Sequence, residues 1–299
     1  MRAQSRYMVV ASVAMIGALA AWRAGSSGPS AADECAGAPN TPPAVHDTTA
    51  ELRLVLNLPA YRLDVLEDGR IESTIPVAVG QRKYPTPIGH YRLDYVVWNP
   101  WWHPPDRWWA RHEKVTAPGW ANPVGRVKLH VTELIFMHGT PFEASRGSAA
   151  SHACIRMSNA DAIALARLVH SRAGPPLPPG ELDDLVADTS RTRTLVLSRT
   201  VPVDIDYDLA EVRDGALWLW VDVYRFAGTR VASVQSQALT ALTDFAAGGA
   251  DAMDTAIIDT TRLRALVRVA RRAPAHLPVE SLFVRNVALP DARSATNGR

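Results

Sequence analysis

The stretch "FMHGTPFEASRGSAASHACIRMSN", residues 136 to 159, gathers one cysteine, two histidines and two arginines along a loop rich in Gly, Ser and Ala. Cys154 is one of only two cysteines in 299 residues. A thiol becomes a strong nucleophile as its thiolate, so it needs a neighbour that takes its proton. Two imidazoles are candidates. His138 closes the apolar run "LIFM" and is expected at the end of a strand, where a sheet would hold it as a base. Gly139 follows it and lets the chain turn sharply. His152 stands two residues before the cysteine and shares its parity in an extended chain, which suits it to orient Cys154 or the substrate. Arg156 has the same parity, and its guanidinium could hold a substrate carboxylate through two hydrogen bonds. The backbone N–H groups of Ala153 and Cys154 are candidate donors to an oxyanion.

The residues alone leave other readings open. A buried cysteine is often a small core hydrophobe, and a Cys35–Cys154 disulfide is possible in an exported protein. A metal site is not expected, because "HGT" and "SHAC" supply at most three ligands without paired spacing. No cofactor is implied.

The elements that must position these residues are mostly strands. "ELRLVLNL" alternates, with Leu52, Leu54, Leu56 and Leu58 on one side. "YRLDVLEDGRIESTIPVAV" continues around Asp68-Gly69 as a hairpin. Further strands are expected at "HYRLDY", "VKLHV", "ELIFMH", "RTLVL" and "VPVDI". Ser158, followed three residues later by Asp161, caps a helix over "DAIALARLVH", and a thiolate at Cys154 is expected to feel that helix's free amides. "SRAGPPLPPGELDDL" breaks this helix and opens a second short one. Residues 95 to 120 hold six of the nine tryptophans among prolines, which prevents a regular helix or central strand. This stretch is either a stiff cover over the core or a flap whose rings stack on sugar or peptide. On the second reading Trp98 and Trp101 are substrate contacts. Beyond residue 224 the text turns helical, in "VASVQSQALTALTDFAAGG" and "TTRLRALVRVARRA", and the last ten residues look disordered.

Composition bounds the rest. A net charge of +2, with no basic run and no glycine-rich phosphate loop, gives no support to a nucleic-acid partner. The first residues, "MRAQSRYMVVASVAMIGALAAW", set two arginines before an apolar run from Met8 to Ala21, shorter than the roughly 20 residues that span a bilayer. Residues 1–32 therefore read as a signal peptide, or else as an anchor, the one case that implies membrane contact. Cys35, in "ADECAGA", lacks the context of a lipidated cysteine. Residues 33–49 read as a flexible linker. The expected location is the periplasm or cell envelope.

"MHGT" followed by "SHACIRMSNADA" resembles the signature of L,D-transpeptidases with a YkuD-type catalytic domain. "LNLPAYRLDVLEDGRIESTIPVAVG", "YPTPIGHYRL", "WNPWWHPP" and "NPVGR" agree in order, so the likeness covers about residues 50–206. The resemblance implies an α+β fold, mainly β and sandwich-like with a few helices, and the helical patterns beyond residue 224 add a largely helical extension over 207–299. It implies an enzyme that acts on peptidoglycan tetrapeptide stems. Cys154 would attack the diaminopimelate–D-Ala bond and pass the acyl group to an amine, giving a 3→3 cross-link, and carbapenems would acylate the same sulfur. His138 matches the general base and Arg156 a substrate-positioning residue. His152 is a further catalytic candidate, and Ser151 and Gly139, inside the matched motifs, are expected to line the substrate site. An L,D-carboxypeptidase, an enzyme attaching protein to the wall, and a non-catalytic wall-binding protein are the alternatives. One departure stands out, since the family's glycine before the cysteine is Ala153 here. If that position needs a positive φ, its Cβ adds about 1–2 kcal/mol of strain. If it needs only a free amide, alanine keeps the donor.

Overall fold

In a computed structural model that describes residues 51–133, 135–248 and 256–285, the alternating leucines form the first strand as their spacing requires. β1 (Leu52–Asn57) turns Leu52, Leu54 and Leu56 into the core, and Leu58 follows them. β2 (Arg62–Glu67) and β3 (Arg70–Pro76) form the expected hairpin. Asp68 and Gly69 at its tip have φ values of 49 and 77, the paired left-handed residues of a tight hairpin turn. There follow β4 (Val79–Gly80), β5 (Gly89–Trp98), β6 (Val127–His130), β7 (Phe136–Thr140), β8 (Ala149–Ser151) and β9 (Ile155–Ser158). α1 (Asn159–Ala173), α2 (Glu181–Ala187) and β10 (Arg193–Asp206) complete the first part. β10 joins the two expected strands "RTLVL" and "VPVDI" into one, with a register shift between Val196 and Val201.

Eight of these strands form one sheet in the order β3-β2-β1-β10-β5-β6-β7-β9. β1 lies parallel to β10 and β7 parallel to β9, and the other pairs are antiparallel. α1 covers the sheet through Ala162, Leu165, Ala166 and Val169, each such apolar side chain stabilising by about 1–3 kcal/mol on burial. Ser158 caps α1 as expected, its Oγ accepting from the Asp161 N–H at 2.9 Å. The chain is mainly β with a few helices.

The tryptophan-rich segment is anchored at both roots. Asn99 donates through Nδ2 to the carbonyls of Leu185, Asp188 and Arg191, and it accepts from Nε of the buried Arg126 at 2.9 Å. Trp98 is not a substrate contact. It is 0% exposed, at the inward end of β5, and its Nε1 donates to His170 Nε2 at 3.3 Å.

Among the described residues the extension after residue 206 carries the two expected helices together with five short strands that were not expected. It holds β11 (Ala210–Arg213), β12 (Ala216–Leu219), α3 (Val234–Gly248), β13 (Ala256–Ile258), α4 (Thr260–Ala270), β14 (Ala275–Pro278) and β15 (Phe283–Arg285). β11, β12 and β14 form a small sheet with a core of its own, including Leu217, Leu219, Leu242, Leu263 and Leu282. Strands of three or four residues are too short to display a period, whereas α3 and α4 display theirs. The expected signal or anchor, the linker and the disordered end lie outside the described residues.

Candidate active site

The pairing of β7 with β9 sets Met137 opposite Ile155 and His138 opposite Arg156. Ladder partners share a face and successive residues alternate, so the two strands sort their side chains into two sets. Met137, Ile155 and Met157 are fully buried in the core. His138, Arg156 and, by parity, Cys154 belong to the opposite face. β6 adds Lys128, opposite His138, and His130, opposite Phe136. Cys154 lies one residue before β9 and two before Arg156. Ordinary strand spacing puts its Cα about 8 Å from that of His138, a span that the two side chains together can bridge.

The electrostatics of this face are set by burial. His138 Nδ1 lies 2.7 Å from the Gly139 carbonyl oxygen. A carbonyl only accepts, so Nδ1 carries the proton and Nε2 keeps its lone pair. Burial pulls the His138 pKa down to about 4, with the charges of Arg156 and Lys128 reinforcing the effect against the Gly139 carbonyl. Burial pushes the Cys154 thiol up from 9.0, opposed by the Phe136 backbone N–H and by the charges of Arg156 and Lys128. At neutral pH the resting pair is therefore a neutral imidazole and a thiol, not an ion pair. Any attack by sulfur must move the proton as it proceeds. Arg156 Nε is buried and has no hydrogen-bond partner. Such a donor costs about 1–3 kcal/mol, which a ligand oxygen would recover.

The nucleophile loop is clamped by the segment from Val77 to Thr86. Ala78 and Arg156 exchange both backbone hydrogen bonds at 2.8 Å. Gly147 donates to the Val77 carbonyl, Val79 to that of Ser148 and Gln81 to that of Ser151. The approach is close enough to require a glycine. A Cβ on Gly80 would come within 2.2 Å of the Tyr84 oxygen and 3.0 Å of the Ala153 Cα. Ala153 itself has φ 82, so this position does need a left-handed backbone and alanine carries the strain.

His152 is held between rings. It stacks on Trp109 at 3.9 Å and 15°, and Tyr84 flanks it at 4.7 Å. The Trp108 indole donates to the Tyr84 hydroxyl at 3.1 Å, and the Lys83 ammonium sits 4.7 Å from the Trp108 ring centre. The tryptophan-rich segment thus covers the nucleophile loop by way of His152. Burial, then Arg156 and Lys83, lower the pKa of His152, and the stacked ring fits an orienting part better than that of base.

Several expectations change. Gly139 is buried and serves packing, since a Cβ there would meet Asn159 Oδ1 at 2.3 Å, and its carbonyl orients His138. Ser151 is also fully buried, and its hydroxyl donates to the Cys154 carbonyl, so it shapes the loop and does not line a substrate site. β9 stands between Cys154 and α1, which takes the helix amides about 13 Å from the nucleophile at strand spacing, beyond useful range. Among the described residues Cys154 forms no disulfide. Trp101 is 50% exposed and remains available to a ligand. Lys128, Tyr84, Trp109 and Thr86 were not singled out from sequence. The alternation of Val127, Leu129 against Lys128, His130 is the one signal that pointed to the first of them. Among the described residues no group of three or more His, Cys, Asp or Glu could hold a metal ion, and no helix is long and apolar enough to cross a membrane.

Fold and site together define a mainly β domain that presents a thiol and an imidazole from neighbouring parallel segments of one sheet. The profile of the L,D-transpeptidase catalytic domain (YkuD) matches residues 51–204, and the chain belongs to that family. A Bacillus subtilis (strain 168) protein named for L,D-transpeptidase activity, YkuD, is 30% identical over 122 residues, or 40% of this chain. The chain spans 62% of that relative's length. Among solved structures, an L,D-transpeptidase from Mycobacterium smegmatis is 19% identical, covering 52% of this chain and 59% of its own, with a TM-score of 0.32. The catalytic domain of the E. faecium L,D-transpeptidase is 13% identical, covering 52% of this chain and 97% of its own, with a TM-score of 0.33.

Proposed function

We propose that this protein is a peptidoglycan L,D-transpeptidase of the cell envelope that works through Cys154. The observation that carries the reading is the β7–β9 register, which sets His138 beside Arg156, two residues along the chain from Cys154. His138 Nε2 takes the thiol proton as the sulfur attacks the carbonyl between the L-centre of diaminopimelate and terminal D-Ala. The amides of Ala153 and Cys154 are the donors to the developing oxyanion. Collapse breaks the C–N bond, the departing D-Ala amine takes the proton from His138, and a thioester remains. An amine of a neighbouring stem then attacks the thioester, His138 accepts its proton, and the C–S bond breaks with return of that proton to sulfur.

The cations on this face suit the substrate. Arg156, with its unpartnered Nε, and Lys128 face a stem rich in carboxylates, and the exposed Trp101 offers a ring to the same ligand. No metal or organic cofactor enters the scheme.

The test is incubation of the purified protein with disaccharide-tetrapeptide, followed by mass spectrometry of the products. Wild type is expected to release D-Ala and form 3→3-linked dimers, and Cys154→Ala neither. Turnover by Cys154→Ala would refute the mechanism. Tripeptide without dimer would reassign the protein as an L,D-carboxypeptidase, with water as acceptor. A carbapenem is expected to add its mass at Cys154 and nowhere in Cys154→Ala.

A further inference from the structure

The family match ends at residue 204, yet a chain of hydrogen bonds runs from beyond it to the peptide before Cys154. The Tyr207 hydroxyl donates to Asp222 Oδ1 at 2.7 Å and accepts from the Tyr224 N–H at 2.7 Å. Phe226 and Ala227 also donate their N–H groups to the Asp222 carboxylate. The Tyr224 ring held this way reaches the clamp segment, where its hydroxyl donates to the Gly80 carbonyl at 2.8 Å and accepts from the Thr86 N–H at 3.2 Å. The Thr86 hydroxyl accepts from the Gly80 N–H at 2.9 Å and donates to the Ala153 carbonyl at 2.8 Å. Each of these hydroxyls receives an amide proton, so its own proton has one direction left to go. Tyr207, Tyr224 and Thr86 are all buried, which leaves no water to substitute for a lost partner.

The end of this chain is the strained residue. Ala153 has φ 82, where an L-residue with a Cβ is disfavoured by about as much as one hydrogen bond contributes. A single bond to its carbonyl is thus of the right size to decide whether the turn is kept. We infer that Tyr224, acting through Gly80 and Thr86, is a positioning residue for Cys154, holding the Ala153–Cys154 peptide in the left-handed turn that aims its amide and the sulfur. The inference rests on the reading of Cys154 as nucleophile. It assigns the segment beyond the family domain a part in the reaction that does not require it to touch substrate.

The test reads Cys154 directly. The full chain is alkylated with iodoacetamide over a range of pH, and modification at Cys154 is followed by peptide mass spectrometry, which separates it from Cys35. Tyr224→Phe keeps the ring and removes the hydroxyl. It is expected to slow alkylation of Cys154 about tenfold, the factor that one misplaced hydrogen bond commands. Adding Ala153→Gly to Tyr224→Phe is expected to restore the wild-type rate, because glycine keeps a positive φ without the brace. Thr86→Val, which cuts the same chain at its other end, should lose and regain reactivity in the same way. A wild-type rate in both single variants, or a double variant as slow as the single, would overturn the inference. No peptidoglycan is consumed, so loss of the substrate reading and loss of this one are separately visible.

Discussion

At the scale of single residues, burial of His138 does two things at once. It keeps the imidazole neutral, with the Nε2 lone pair available to accept a proton, down to about pH 4. It also ties stability to pH. In the unfolded chain a histidine takes a proton near pH 6.5, whereas His138 in the native state takes it near pH 4. Above pH 6.5 both states are neutral and the native state keeps its full stability. Between pH 6.5 and 4 only the unfolded state gains the proton, so stability falls as the pH falls, by about 3 kcal/mol in total. Urea denaturation of His138→Gln should lack that component of the slope, and an unchanged pH profile would mean that the imidazole is not buried as described. For the same reason the acid limb of kcat/KM should lie well below the 6.5 of an exposed histidine. Ala153→Gly is a second residue-scale change, expected to stabilise the wild-type fold by up to about 1 kcal/mol, as strain relief exceeds the added chain entropy.

At the scale of elements, the same residue type can serve opposite ends, and Trp98 and Trp101 separate them. Both come from one proline-interrupted segment, and nothing in the local text distinguishes a covered ring from an open one. The ladder does, because Trp98 ends β5 opposite Arg193 and Val127 and faces the core. Trp98→Ala should cost about 3–5 kcal/mol in denaturant titration. Trp101→Ala should leave stability within about 0.5 kcal/mol and raise KM for the tetrapeptide. A loss of stability in Trp101→Ala matching that of Trp98→Ala would count against this division. What was legible in the sequence follows the same logic. Leu52 to Leu58, the Asp68-Gly69 turn and the Ser158 cap each announce themselves locally. Cys154 and His138 stand out by chemical type, His138 at the end of an apolar run, and Arg156 by sharing the parity of Cys154. The cations and rings that complete the site, Lys128, Tyr84 and Trp109, come from segments far away in sequence, and only the strand register and the folded loops bring them in. The mistaken helix-amide argument for Cys154 failed on a short strand, β9, which four residues could not advertise.

At the scale of the whole molecule, the extension is joined to the catalytic sheet by charge as well as by the Tyr224 chain. Asp64, on β2, is buried. It accepts from Arg62 of its own strand at 2.9 Å and from Arg213 of β11 at 3.0 Å, while Arg62 reaches back to Glu211 of β11 through Nη2 at 2.7 Å. Burial alone would raise the Asp64 pKa, but hydrogen bonds from Thr74, Arg213 and Arg62 outweigh it and hold the carboxylate below its ordinary value. Two elements that exchange part-buried charges in both directions cannot part without taking one cation from Asp64 and the Arg62 guanidinium from Glu211, which costs more than breaking an exposed pair. The described residues between 51 and 285 accordingly belong to one compact unit. Calorimetry of the intact chain should therefore record a single cooperative transition, with the extension and the sheet melting together. Arg213→Ala, which takes one of the cations from Asp64, should lower stability by about 2–3 kcal/mol. Two resolved transitions in the wild type, or an Arg213→Ala variant as stable as the wild type, would mean that the extension is a separate passenger. In that case the Tyr224 chain would have no rigid base from which to hold the nucleophile loop.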